Sequence, residues 1–152
     1  MTSLKDKFWL FYIIGRLNEK FNEIEGVTKL EKLIFLCSKR LHGKSQSLQS
    51  IEFERGFYGP RDPGGSYDLE TNLMLGIFEE DSKDSATRLK VTEKGERVIK
   101  GIKSILGLEP DYEDSKEEID EELEMSSEKS LSQILQDERI KEAKKKFLKE
   151  KV

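Results

Sequence analysis

"VTKLEKLIFLCSKRLHG", residues 27 to 43, shows the chain's plainest periodicity. Leu30, Leu33, Ile34, Cys37 and Leu41 fall at i, i+3, i+4, i+7 and i+11, the positions that share one face of an α-helix. Thr28 and Glu31 have capping-box spacing, in which the Thr hydroxyl takes an orphan amide and the Glu reaches back to the cap. Lys39, Arg40 and His42 suit the negative end of the helix dipole, and Gly43 suits a left-handed stop. The stretch predicts a helix over 29–42, and the rest of the fold must supply what its apolar face packs on.

Upstream, residues 4–19 read as a helix whose apolar positions, Phe8 to Ile14 and then Leu17, cover every face. Such a helix is buried on several sides: it lies at the centre of the domain or keeps one face for a partner, and the scarcity of exposed apolar patches favours the centre. "FWLFYII" is too aromatic for a signal peptide and lacks a small-residue cleavage pattern after it. It also falls far short of the roughly 20 apolar residues that span a bilayer, so no membrane partner is expected. Cys37 is the single cysteine, which excludes an internal disulfide and suits a reducing, cytoplasmic setting.

Downstream, Ile51, Phe53 and Phe57 alternate with Glu52 and Glu54, the pattern of a short edge strand. "ERGFYGPRDPGGSYDLE" (54–70) then holds two of the three prolines and four of the eleven glycines. A phosphate cradle would need G-K-[ST] at a helix start or G-x-G-x-x-G after a strand, and neither is present. Residues 62–82 carry six carboxylates and no Lys or Arg, so the cluster reads as a turn between packed elements. Asp62 as N-cap and Pro63 as first residue would open a helix carrying Leu69, Leu73 and Met74 inward and ending near Gly76. Ile77 and Phe78 begin a strand, "EEDSKDSATR" (79–88) reads as a long polar hairpin loop, and "LKV" (89–91) returns. Thr92 then caps a helix bearing Val98, Ile99, Ile102, Ile105 and Leu106 until Gly107 and Pro110. This order predicts an α+β, mainly α fold: a winged helix-turn-helix with a small antiparallel wing sheet and an added C-terminal helix.

Of the 152 residues 38% are charged, against about 25% in an average domain, and the net charge is −4. Residues 1–61 hold 11 Lys and Arg against 7 Asp and Glu, whereas 109–152 hold 9 against 15. Residues 109–128 alone contain eleven acidic residues and one Lys, the composition of a flexible linker or a solvated helix. From Leu131 an apolar stripe returns with Ile134, Leu135, Ile140, Ala143 and Phe147, broken in period between Leu135 and Ile140. It can dock on its own domain or pair with another subunit or a partner. The organisation expected is a winged-helix domain (1–108), an acidic linker (109–128) and a C-terminal amphipathic helix (129–152), with a homodimer open through the first or last helix.

In "GVTKLEKLIFLCSKRL" (26–41), "GFYGPRDP" (56–63), "LMLGIFE" (73–79) and "LKVTEKGERV" (89–98), over roughly residues 8–103, the chain resembles the YwgA-like and Panacea (SocA-like antitoxin) proteins. That resemblance implies a winged-helix-like fold without known catalysis, used as a protein-binding module or regulator. The chain departs from the family pattern at Gly64 and Gly65, where each Gly costs about 1 kcal/mol relative to Ala in a helix, placing the helix start at Pro63 or Ser66.

The chemistry points the same way. Cys37 and His42 lie about 140° apart around one helix, so they form no nucleophile and base pair within it. The acidic segment lacks EF-hand spacing, and neither a metal nor a cofactor is expected. A winged helix ordinarily binds DNA through its second helix-turn-helix element, but here that element carries Asp68, Glu70 and Asn72. A DNA-binding regulator would have to use Lys29, Lys32, Lys39, Arg40 and Lys44 on or after the 29–42 helix, with Lys83, Arg88 and Lys90 around the wing. The leading expectation is a non-catalytic, antitoxin- or adaptor-like module that binds a partner protein, with Phe57, Tyr58, Arg61 and Tyr67 as candidate anchors. The alternative is the DNA-binding regulator.

Overall fold

The computed structural model describes residues 2–24, 26–63, 75–83, 86–146 and 148–152, with backbone alone at 81–83 and 86–87. Among them it is an α+β, mainly α protein with six helices and two small antiparallel sheets.

Helix α1 (Leu4–Phe21) is capped by Ser3, whose hydroxyl accepts the Asp6 amide. Its Trp9, Tyr12, Ile13, Ile14 and Leu17 are all buried, which places this helix in the core as its all-round apolar surface requires. Trp9 meets Tyr12 edge-on and stacks on Tyr112, ring centroids 5.3 and 5.7 Å away.

Helix α2 (Val27–Leu41) buries Leu30, Leu33, Ile34, Cys37 and Leu41, and Phe35 and Leu36 besides, because it is covered on more than one side. Its start differs from the capping-box expectation. The helix begins at Val27 after Gly26, so Thr28 already lies in the first turn and no side chain caps it. Glu31 is engaged elsewhere: its carboxylate accepts the backbone amide of Asp62 at 3.1 Å. The helix stops before Gly43, which takes a φ of 80°.

The single edge strand expected near 51–57 is instead a hairpin. Ile51 and Phe53 are buried, but pairing starts only at β1 (Glu54–Gly56), which runs antiparallel to β2 (Gly59–Arg61) in the register Glu54↔Arg61, Arg55↔Pro60, Gly56↔Gly59. The chain reverses at Phe57 and Tyr58, with the positive φ (114°) falling on Gly59, where the missing Cβ makes it free. The helix expected between Pro63 and Gly76 falls on residues 64–74, which lie outside the described residues, as does Tyr67.

Strands β3 (Phe78–Lys83) and β4 (Ala86–Val91) pair continuously from Phe78↔Val91 to Lys83↔Ala86, so residues 79–88 are mostly strand and not the long loop their polarity suggested. The ribbon is held by its backbone ladder. Its base buries Phe78, Leu89 and Val91, while Glu79, Glu80 and Lys90 are exposed. Ile24, between α1 and α2, bridges to Leu89 of β4 through backbone bonds of 2.7 and 2.9 Å. Thr92 caps α3 (Glu93–Leu106): its hydroxyl accepts the Gly95 amide and donates to the Gly76 carbonyl.

The acidic segment forms helix α4 (Tyr112–Ser126), whose Ser115, Ile119, Glu122, Leu123 and Ser126 make a buried stripe on the side that meets α2. Beyond it, α5 (Leu131–Ile134) and α6 (Glu138–Lys144) replace one long C-terminal helix, the interruption falling where the apolar period breaks. Ile134, Ile140 and Ala143 are buried, and this segment docks on its own chain, against α2 and β2. No helix of the described residues is long and apolar enough to cross a membrane.

Candidate interaction site at the hairpin tip

Phe57 and Tyr58 occupy the two reversal positions of the β1–β2 hairpin, 75% and 55% exposed. Their rings meet edge to face with centroids 5.2 Å apart and an interplanar angle of 75°. Two large aromatics in water usually find cover, and this pair covers mainly itself.

The hairpin beneath them is braced on both sides. A Cβ placed at Gly59 would meet Ile140 at 3.3 Å and the side chains of Lys144 and Lys32 at 3.7 Å, so β2 lies directly on α6 and α2. The aliphatic stem of Arg61 lies over Gly56, and its Nε is 4.0 Å from Glu54 Oε1. Glu31 of α2 fixes the strand exit through the Asp62 amide. Along the other edge, the C-terminal stretch adds to β1: the Lys149 amide donates to the Arg55 carbonyl at 2.7 Å, the Arg55 amide to Glu150 at 2.8 Å, and the Val152 amide to Phe53 at 3.1 Å. Leu148, the residue before this stretch, is exposed.

The electrostatics under the tip are unusual. Lys32 is buried, and burial lowers its ammonium below the ordinary lysine value; Glu31 opposes this, while Arg61 and Lys144 add to it. Burial likewise raises the Glu31 carboxyl, against the pull of Lys32. A rigid tip with two exposed aromatics and an adjacent half-exposed Arg61 has the composition of an interface anchor.

Of the four anchor candidates, Phe57, Tyr58 and Arg61 come together on this hairpin, and Tyr67 lies outside the described residues. The bracing role of Glu31, Ile140 and Lys144 was not legible in the sequence, since each acts across a long separation that no local pattern marks.

The basic candidates are scattered. Arg40 binds Glu118 and Glu121 of α4, and Lys44 shares Glu118 at 3.4 Å. Arg88 pairs with Glu23 at 2.9 Å. Lys29 and Arg88 line one groove of about 420 Å³ together with Glu23 and Glu128, floored by Leu17, Ile24, Leu30 and Leu33. Lys39 extends its ammonium over the Phe35 ring, 5.4 Å from the centroid. Lys90 stands opposite Glu79 in the ribbon, Lys83 contributes its backbone to the end of β3, and Lys32 is interior. Cys37 is fully buried, and burial raises its thiol far above the ordinary range, which makes it a poor nucleophile. Among the described residues no group of three or more His, Cys, Asp or Glu is placed to hold a metal ion. In comparison with known proteins, the sequence matches no family model and no curated protein.

Proposed function

We propose that this protein is a non-catalytic winged-helix module that binds another protein through its β1–β2 hairpin, in the manner of an antitoxin or adaptor. The observation that carries the reading is the exposed Phe57–Tyr58 pair on a hairpin braced by α2 and α6. Aromatic anchors that are already rigid lose little conformational entropy on binding, which is why such residues dominate interface energetics. The winged-helix assignment draws on the Ile24–Leu89 bridge, which sets the α1–α2 connection beside the β3–β4 ribbon as a third wing strand, with α3 following. The resemblance to the YwgA-like and Panacea proteins belongs to the same proposal.

The competing reading, a DNA-binding regulator, asks for a continuous basic face. Arg40, Lys44 and Arg88 are instead paired with carboxylates of their own chain, and Lys32 is buried. Fluorescence anisotropy with a generic duplex at 20 to about 200 mM salt separates the two readings. No binding at the lowest salt is expected; tight binding with a steep negative log–log salt slope would transfer the assignment to DNA. In parallel, recovery of a specific partner from extracts of the source cells should be lost in the Phe57→Ser, Tyr58→Ser double variant while its fold, read by circular dichroism, is unchanged.

A further inference from the structure

The hairpin has two edges, and the structure treats them differently. In the register Arg55↔Pro60 the residues are a non-bonded pair, so the Arg55 amide and carbonyl point away from β2 and Pro60 faces outward with no N–H to offer. The β2 edge is thus closed by proline, and β2 also packs on α2 and α6. The β1 edge is open to a strand, and Lys149–Val152 fills it.

The filling is slight. Backbone hydrogen bonds from three amides and the partly buried Val152 hold the stretch among the described residues, residues 148–151 are exposed, and Lys149 adopts a left-handed φ of 65° that non-glycine residues take uncommonly. The preceding segment is held far better, by buried Ile134, Ile140 and Ala143 and by Arg139 gripping buried Glu122. The last residues can therefore leave β1 without undoing α5 or α6.

One unmade bond marks the same edge. Arg55 donates from one terminal nitrogen to the Gly56 carbonyl, yet its Nε is buried and has no hydrogen-bond partner. A buried guanidinium N–H left unpaired is costly, and a carboxylate is the acceptor that matches it best. On the other face of the hairpin, Arg61 of β2 already has Glu54 of β1 as its acidic neighbour, its Nε 4.0 Å from Oε1.

We propose that the β1 edge is a docking site for an extended, acidic segment of the partner protein, which adds as a strand in place of Lys149–Val152. The proposal rests on the protein-binding reading above and specifies its mode. The tail is the stand-in: it satisfies the Arg55 and Phe53 backbone groups when no partner does. The incoming strand supplies the same backbone bonds, a carboxylate for Arg55, and contact with Phe57 and Tyr58 at the end of the edge.

Two variants at Lys149 shift the tail in opposite directions. Lys149→Pro removes the donor to Arg55 and cannot take a positive φ, so it frees the edge; Lys149→Gly relieves the left-handed backbone and tightens the tail. The probe is a fluorescein-labelled hexapeptide, Phe-Leu-Glu-Glu-Glu-Val, which is the sequence of residues 147–152 with both lysines replaced by Glu. Anisotropy should show affinity for Lys149→Pro on the order of tenfold above the unmodified protein, and weaker binding to Lys149→Gly. Amide exchange at Arg55 should quicken in Lys149→Pro and slow again when the peptide is added. Equal affinity for all three proteins, no binding to Lys149→Pro, or an Arg55 amide as protected in Lys149→Pro as in the parent would each overturn the proposal. A partner whose capture needs Phe57 and Tyr58 but ignores both Lys149 variants would sink strand exchange and leave the protein-binding reading standing; salt-sensitive duplex binding would remove that reading instead.

Discussion

At Gly95 the backbone of α3 lies against the carbonyl of Ile77, and a Cβ there would overlap that oxygen and crowd Val91. Backbone cannot swing aside as a side chain can, so Gly95→Ala should cost about 2 kcal/mol or more, read as a lowered midpoint in urea unfolding. A midpoint within error of the parent would show that the α3 start is loosely held. Phe57 and Tyr58 stand at the other extreme. Replacing either with Ala removes mainly exposed surface and should change stability by less than about 0.5 kcal/mol, so a loss of binding in those variants with an unchanged urea midpoint is a loss of contact. The Thr92-x-x-Gly95 cap was legible in the sequence because its contacts run between near neighbours. The place of Phe57 was not: alternation put it in a strand with Phe53, whereas the chain reverses at Phe57 and Tyr58, Gly59 taking the positive φ two residues on, and leaves it at the tip.

Elements were legible where their buried stripe is apolar and obscured where it is not. Helix α2 shows its face in five aliphatic or sulfur side chains, and its extent matched expectation to within two residues. Helix α4 has the same helical spacing in its buried face, but three of the five positions are Ser115, Glu122 and Ser126, hidden among solvated carboxylates. Glu122 is nearly fully buried and receives Ser126 at 2.6 Å, both terminal nitrogens of Arg139, and a more distant Arg40. It is the clamp by which α4 holds the α5–α6 segment. Glu122→Gln leaves Arg139 facing a neutral amide in a largely dry site and should destabilise by about 3 kcal/mol. Urea unfolding monitors the loss, and pairing the change with Arg139→Met should recover part of it, since the uncompensated cation is then gone. Strictly additive losses would mean the two side chains do not act as a pair.

Across the whole molecule, the charge asymmetry between the two ends of the chain is settled internally. Cations of the N-terminal half meet carboxylates of the C-terminal third: Lys5 with Asp111, Arg16 with Asp120, Lys20 with Glu128, Arg40 with Glu118 and Glu121. Composition alone suggested a linker because it reports how many charges a segment carries and not which distant segment they face. These pairings give stability a definite pH dependence. Hydrogen bonds from Arg139 hold the Asp137 carboxyl below its usual value, and Arg40 does the same for Glu118. Burial works against Asp111, yet the bonds from Lys5 and Ser45 outweigh it and lower that carboxyl too. A carboxyl whose value is depressed on folding contributes stability that is fully present above its unfolded value, near 4, and lost as pH falls through the folded one. Glu31, raised by burial, has the opposite sign but is one group against three. Urea midpoints should therefore hold between pH 7 and about 5 and drop steeply below about 4. The Asp137→Asn variant should start lower at pH 7 and fall less on acidification, because the proton-linked part of its contribution has already been removed. A parent curve that stays level down to about pH 2.5 would mean that the acidic third of the chain is held by its apolar stripe alone, with the ion pairs contributing nothing measurable.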